Sequence, residues 1–468
     1  MRKLDLSKKI CLISIVCIGT SITSPAQTFT ALANFDLTNG SGPNAGLVQG
    51  VDGNFYGTTA LGGTSNDCTD GCGTVFKVTP SGSLTTVHSF DGKDGSYATG
   101  LVLGTDGNFY GTTANGGSSS NCANGCGTVF KITPSGSLKT LHSFDGTDGS
   151  GPYSGLVQGT DGNFYGTTYN GGANNSCSDG CGTIFKITPA GSLATLDSFD
   201  GTNGSAPNAG LVQGTDGNFY GTTFSGGAQN NGTVFKVTAK GALTTLYSFD
   251  GSDGSGAYSG LIQGSNGAFY GTTEAGGAQS NGTVFKITNK GELTTIHSFD
   301  NADGYAPAGL VQGTDGNLYG ATQGGGIAFG TVFQMTTQGA LATLHSFDDN
   351  DGSDPQSAPL QATNGIFYGT TFFAGAGGYG TVFSLSMGLG PFVKTLPTTG
   401  KVGEKVIILG NDLTGATSVT FNGSSASFTV ASDTEITATV PTGATTGTVK
   451  VTTPTRALKS SMTFQVKP

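Results

Sequence analysis

The phrase GLVQGTDGNFYGTT occupies residues 210–223 and recurs, with small edits, from Gly46, Gly100, Gly155, Gly260 and Gly309. A worn seventh copy fills residues 359–371. Its tyrosine falls at Tyr56, Tyr110, Tyr165, Tyr220, Tyr270, Tyr319 and Tyr368, in steps of 54, 55, 55, 50, 49 and 49 residues. A period near fifty constrains this chain more than any other feature. Each copy is one supersecondary unit that buries its faces only against its neighbours.

Every unit contains four apolar stretches. In the fourth copy they are 210–213 (GLVQ), 218–223 (NFYGTT), 233–238 (TVFKVT) and 243–249 (LTTLYSF). The turns Thr215-Asp216-Gly217 and Ala239-Lys240-Gly241 and a Gly-rich loop separate them. Val, Phe, Tyr and Thr runs bounded by Gly, Asp and Asn are strand and hairpin chemistry. The 82 glycines exclude long helices, because each Gly in a helix interior costs about 1 kcal/mol relative to Ala. Four antiparallel strands repeated seven times predict an all-β fold, a seven-bladed β-propeller. A solenoid is the competitor, but its units are usually shorter. Phe235, Leu246 and Phe249 are candidates for the space between blades.

The phase of the repeat predicts how the ring shuts. Residues 29–36 (FTALANFD) match the fourth strand of a unit, and the last unit ends at 380–386 (GTVFSLS) without a fourth strand of its own. The N-terminal strand is therefore expected beside residues 380–386, closing the last blade and leaving no open edge. Past Met387 the repeat stops. Residues 406–409, 418–421, 427–430, 435–440, 447–452 and 462–466 read as six short strands, with a seventh near Phe392, which suits an immunoglobulin-like β-sandwich.

Residues 1–26 read as a cleaved signal peptide: basic Arg2, Lys3, Lys8 and Lys9, an apolar run over 10–22, then Ser24-Pro25-Ala26. The expected organisation is thus signal peptide 1–26, propeller 27–387 and sandwich 388–468. No segment of the mature chain reads as transmembrane. Cleavage removes four positive charges and one negative, moving the net charge from -10 to -13. Such an acidic chain is a poor match for nucleic acid.

The repeat GLVQGTDGNFYGTT…GTVFKVT…LTTLYSFDG resembles the GloVer tandem repeat of exported, choice-of-anchor bacterial proteins, over about residues 29–386. The tail, with Gly400-Lys401-Val402-Gly403, Val406-Ile407-Ile408-Leu409-Gly410 and Val419-Thr420-Phe421-Asn422-Gly423, resembles IPT/TIG domains. These resemblances imply export and an immunoglobulin-like C-terminal fold. They bring no activity to particular residues.

Three features bear on chemistry. Cys68/Cys72, Cys122/Cys126 and Cys177/Cys181 lie in the loop between the second and third strands of units one to three, which is five residues longer there than in unit four. In an exported chain such pairs are expected to be disulfides; a metal site or redox pair is the rival, and no His lies nearby to complete a zinc set. The loop after each fourth strand repeats Asp, then Asp or Asn three residues later, then Gly, as in Asp91/Asp94, Asp145/Asp148 and Asp250/Asp253. Turns made by Asx side chains are the plain reading, and calcium the alternative. His88, His142, His297 and His345 share one repeat position. Recurrence of that kind points to structure, since catalysis needs one constellation of unlike groups.

Leu396-Pro397-Thr398-Thr399-Gly400 fits a sortase signal, but the predicted sandwich follows it, so it reads as a turn. Strand order sends the Cys loops and the Asp loops to the same end of the ring. Tyr97, Tyr153 and Tyr258, near the innermost strands, are candidates there for stacking on a sugar, with packing as the alternative. The expected role is non-catalytic binding of a glycan or protein outside the cytoplasm, at the cell surface or secreted. A polysaccharide or lactone-ring lyase or hydrolase is the alternative, and it requires one asymmetric cluster of Asp, His or Glu in the pore.

Overall fold

In a computed structural model of the protein, residues 27–174 and 176–467 are described. The signal-peptide reading of 1–26 lies outside them. The repeat forms seven antiparallel four-stranded sheets. Blades one to six take consecutive strands, from Val48–Gln49 in blade one to Leu341–Ser346 in blade six. Blade seven combines Leu360–Gln361, Phe367–Thr371 and Thr381–Ser386 with Thr28–Asn34. The N-terminal strand pairs antiparallel with the last strand of the ring, Thr28 opposite Ser386 and Ala33 opposite Val382. The closure read from the phase of the repeat is the one observed.

The Phe-Tyr dipeptide of each second strand explains why blades stack. Neighbouring strand residues point to opposite faces, so Phe faces the preceding blade and Tyr the next. Tyr110 stacks on Phe164 at 3.9 Å between ring centroids, Tyr165 on Phe219 at 3.9 Å, and Tyr368 of blade seven on Phe55 of blade one at 4.1 Å. A second series joins outermost strands to third strands, as in Phe90–Phe130 and, across the closure, Phe35–Phe76. Phe235 and Phe249 are fully buried in such seams and Leu246 packs against one. The Gly after Phe-Tyr is dictated by this packing: a Cβ on Gly111 would lie 2.5 Å from Phe130 Cζ.

Inside each blade a pair of buried threonines joins the second and third strands. Thr113 and Thr128 hydroxyls lie 2.9 Å apart, and Thr128 Oγ1 donates to the Asp94 carbonyl. The same bond recurs in the other blades, for example Thr59–Thr74 and Thr371–Thr381. The innermost strand is shorter than its GLVQ signature in five blades, only two residues such as Val212–Gln213. It is longer in blades two and six, Ser96–Leu103 and Tyr305–Gln312, where the incoming loop has one residue fewer.

The turns between first and second strands form the opposite end of the ring. There Gln158 Oε1 accepts from Thr105 N of the preceding blade at 3.0 Å, and Gln213, Gln263, Gln312, Gln361 and Gln49 repeat the contact. Blade two has Leu103 in place of that Gln. The C-terminal sandwich seats at this gap. Leu396, Ile407 and Leu409 pack with Val51, Tyr56, Leu101 and Leu103, and Thr434 Oγ1 donates to the Val51 carbonyl at 2.6 Å. Lys394 donates to the Gln361 carbonyl at 2.6 Å, and burial pushes its ammonium down to about 8.

The sandwich has two four-stranded sheets around Val406, Ile408, Val419, Phe421, Ile436, Val449 and Val451. The predicted strands appear within a few residues of their expected ends, with Lys394–Leu396 as the seventh. Thr399–Lys401, Ser424–Ser425 and Ala457–Lys459 were not anticipated. They are short, and Ser424–Ser425 and Thr399–Lys401 each have partner strands of only a few residues, which leaves little alternation to read. Of the sortase-like stretch read as a turn, only Pro397 and Thr398 form a bend, with a cis bond before Pro397; Leu396 ends one strand and Thr399 and Gly400 begin the next.

Candidate functional site

The Asp loops and the Cys loops meet at one end of the ring. Cys68–Cys72, Cys122–Cys126 and Cys177–Cys181 are disulfides. A Cβ on Gly92 of the first interblade Asp loop would come within 4 Å of the Cys68 and Cys72 sulfurs. In the Asp loops the carboxylates turn back on their own backbone. Asp91 Oδ1 accepts from the amides of Lys93 and Asp94, and Asp94 Oδ1 accepts from Asp91 N at 2.9 Å. Asp145/Asp148 and Asp250/Asp253 repeat this. The Asp94 amide, ahead of the opposing effect of burial, holds the Asp91 carboxyl below the usual carboxylate range. The second Asp is clamped by the repeat histidine: His88–Asp94 at 2.7 Å, His142–Asp148 at 2.6 Å, His297–Asp303 at 2.7 Å and His345–Asp351 at 2.8 Å. Tyr247 does the same for Asp253. Among the described residues no group of three or more His, Cys, Asp or Glu is placed to hold a metal ion.

At the ring axis, a cavity of about 760 Å³ opens between the blades. Its wall repeats Gly and Leu from the innermost strands, including Gly100, Gly210, Gly260, Leu101, Leu211 and Leu261. Its rim does not repeat. Tyr97, Tyr153 and Tyr258 all line it, so the three tyrosines chosen from sequence come together. Tyr169, Phe224 and Glu274 join them from one other repeat position, the residue after the Thr-Thr of the second strand. The seven occupants of that position are Ala60, Ala114, Tyr169, Phe224, Glu274, Gln323 and Phe372. Sequence reasoning passed over it. The signal was there in the contrast between an almost invariant FYGTT and the variable residue that follows.

Tyr97 has φ 59°, the left-handed conformation that its counterparts Gly42, Gly151, Ala206, Gly256, Ala306 and Asp354 take in the other blades, so this turn belongs to the repeat whatever residue fills it. Burial raises the Tyr97 phenol, with the nearby phenols of Tyr258 and Tyr153 adding to it. Burial also raises the Tyr258 phenol, with the charges of Glu274 and Asp354 adding to it. Glu274 is half-buried, and burial alone raises its carboxyl. Two polar atoms of lining residues, Asn44 Oδ1 and Ser357 Oγ, are buried without a hydrogen-bond partner. A native buried polar atom normally has one.

Beside the mouth lies a smaller hollow of about 310 Å³, lined by Tyr305, Gln323, Phe329 and Asp354 among others. Gln356 bridges the two, donating to Asp354 Oδ1 at 2.7 Å and accepting from Gln323 at 3.1 Å. The exposed large apolar side chains of the ring, Tyr153, Tyr305, Ile327, Phe329, Phe373 and Tyr379, sit at this end, Tyr305 as the first residue of an innermost strand and the others in loops.

The Gloeobacter/Verrucomicrobia repeat model matches residues 19–178 and 174–383. The chain belongs to the Gloeobacter/Verrucomicrobia repeat family. The IPT/TIG domain model matches residues 392–466 of this repeat protein. No curated protein matches it. Among solved structures it is similar to PorZ, a bacterial surface component of the type-IX secretion system of Porphyromonas gingivalis, at 15% identity and a TM-score of 0.45, over 89% of this chain and 58% of that one. It is also similar to oligogalacturonate lyase from Vibrio parahaemolyticus, at 11% identity and a TM-score of 0.43, over 77% and 96%. A luciferin-regenerating enzyme gives 12% identity and a TM-score of 0.40, over 78% and 98%. Within the described residues of this repeat protein no helix is long and apolar enough to cross a membrane.

Proposed function

We propose that this repeat protein is an exported, non-catalytic binding module that recognises a glycan at the mouth of its central channel. The observation behind the reading is the break in symmetry. Seven nearly identical blades gather unlike aromatic residues at the channel mouth, in the rim formed by Tyr97, Tyr153, Tyr169, Phe224 and Tyr258. Aromatic rings of this kind supply flat apolar area with a polar edge, which suits the faces of a pyranose. The channel wall supports binding over chemistry: it repeats Gly and Leu, and Glu274 is the carboxylate on it. The paired cysteines support an oxidising location outside the cytoplasm, as does the signal-like start. In this reading the processed segment is 1–26, the ring 27–387 and the sandwich 388–468, and the Asp loops are structural turns.

A glycan-array screen of the mature protein tests the reading. The expected result is a reproducible hit that Tyr153→Ala and Tyr258→Ala weaken, with thermal unfolding unchanged. Hits that survive both substitutions would move the site elsewhere, and binding to proteins alone would replace the glycan. Turnover of a sugar polymer would favour the lyase or hydrolase alternative.

A further inference from the structure

We propose that the channel mouth selects a glycan bearing a protonated amine, an amino sugar without its acetyl group, with the Glu274 carboxylate as counter-charge and the rings of Phe224, Tyr153 and Tyr258 as walls. This rests on the glycan reading of the same site and names the chemistry it takes.

The argument begins with the repeat position of Glu274. Its six counterparts are Ala60, Ala114, Tyr169, Phe224, Gln323 and Phe372, all uncharged. A glutamate is also rare here: between residues 27 and 388 it occurs only at Glu274 and Glu292. The Glu274 amide is held by the Gly256 carbonyl at 2.9 Å, which fixes its Cα at the rim. Its carboxylate has no hydrogen-bond or ion-pair partner among the described residues, in contrast to the acids of the Asp loops, which are tied to backbone amides. A half-buried carboxylate without a partner loses hydration and receives nothing in return. A cation in the cavity would offset that loss.

The surroundings favour a cation for two more reasons. Phe224 and Tyr258 line the same cavity as Glu274, and aromatic faces attract an ammonium within about 6 Å of the ring centroid. The second carboxylate of this region, Asp354, lies behind Gln356 and is close enough for its charge to act on Tyr258. The loops of this end hold only Lys93 as a basic residue besides the clamped histidines, and residues 27–388 contain no Arg. The end as a whole therefore repels uronates and sulfated sugars and attracts amines.

Isothermal titration of the mature full chain with three tetrasaccharides decides it: a glucosamine oligomer at mildly acidic pH, its N-acetylated counterpart, and an oligogalacturonate. The expected order is glucosamine oligomer tightest, by about tenfold or more over the acetylated one, with no binding of the galacturonate. Glu274→Gln places there the residue that Gln323 supplies in the next blade, and it is expected to erase the tenfold preference through weaker binding of the glucosamine oligomer. Equal binding of the first two oligomers, or a preference that survives Glu274→Gln, overturns the amine proposal and leaves the glycan site standing. Failure of all three, with glycan-array hits that survive Tyr153→Ala, removes the site itself.

Discussion

The two ends of the ring are built from the same seven units and have opposite fates. At the turn end the repeated Gln reaches from blade to blade to accept from the neighbouring turn, while within a blade Tyr hydroxyls donate to turn aspartates such as Asp106 and Asp161, and Lys131 and Lys186 pair with those same acids at 2.7 and 2.8 Å. That end is uniform, and the sandwich covers it where Leu103 interrupts the girdle. At the loop end the side chains serve their own loops, through Asx turns, histidine clamps and disulfides, and the blades are joined there by backbone bonds such as Tyr97 N to the Cys72 carbonyl and Gly151 N to the Cys126 carbonyl, both at 3.0 Å. A backbone bond does not dictate the side chain, so the rim residues are free to differ. Cohesion sits where the repeat is strict, and recognition has room where it lapses.

The largest expected effect tests the strict part. Phe35→Ala opens the seam between blade seven and blade one, where Phe35 is fully buried against Phe76. It is expected to lower the unfolding free energy by about 3–5 kcal/mol in denaturant titration. Tyr153→Ala at the loop end is expected to change it by less than about 0.5 kcal/mol. Comparable losses at both sites would erase the contrast.

Next in size are the disulfides. Replacing Cys122 and Cys126 by Ser is expected to cost about 2 kcal/mol, the entropy of so short a loop, read as a lower melting temperature. A larger loss would show that the enlarged loop is part of the ring's core.

Leu103→Gln restores the repeat residue at the seat of the sandwich. It places a polar group among Leu101, Leu396 and Leu409, at a cost of about 1–3 kcal/mol. The expected readout is an earlier, separate unfolding step of residues 392–466 under limited proteolysis. An unchanged digestion pattern would mean that the apolar gap does not hold the sandwich.

How much of this was legible beforehand follows from the same contrast. Blade count, strand order and closure by residues 28–34 were readable because the repeat exposes each residue seven times over, and the disulfide pairs because they recur in a loop that is longer in three units. The Phe-Tyr stack and the Thr pair are strict positions whose role needed the neighbouring blade to be seen. The rim was half legible. Tyr97, Tyr153 and Tyr258 stood out as aromatics, whereas Glu274, Tyr169 and Phe224 did not, because their shared position is defined by divergence. The seat at Leu103 depends on a single Gln-to-Leu change, and its meaning appears only when the sandwich is placed. The two-residue innermost strands fell short of the GLVQ pattern in the blades whose incoming loop is longer than in blades two and six.

The smallest effect is a pH dependence at the turn end. Burial opposes ionisation of Asp161, but hydrogen bonds from Lys186, Asn163 and Tyr165 outweigh it and hold its carboxyl at about 2. A depressed carboxyl stabilises the fold fully above the unfolded value near 4 and loses that contribution as pH falls toward 2. Its side chain is 39% exposed, so solvent screening limits the gain to about 0.5 kcal/mol. Asp161→Asn is expected to flatten the acid limb of the stability curve by that amount. A limb of unchanged slope would assign the acid response to other carboxylates.

Ring closure underlies both ends, and one cross-link tests it. Thr30 faces Ser384 in the pairing of the first strand with the last. With Thr30→Cys and Ser384→Cys in the mature chain, mass spectrometry of the oxidised protein should find one intramolecular disulfide joining segments 354 residues apart in sequence. Two free thiols at these positions, or a disulfide only between chains, would contradict the closed ring.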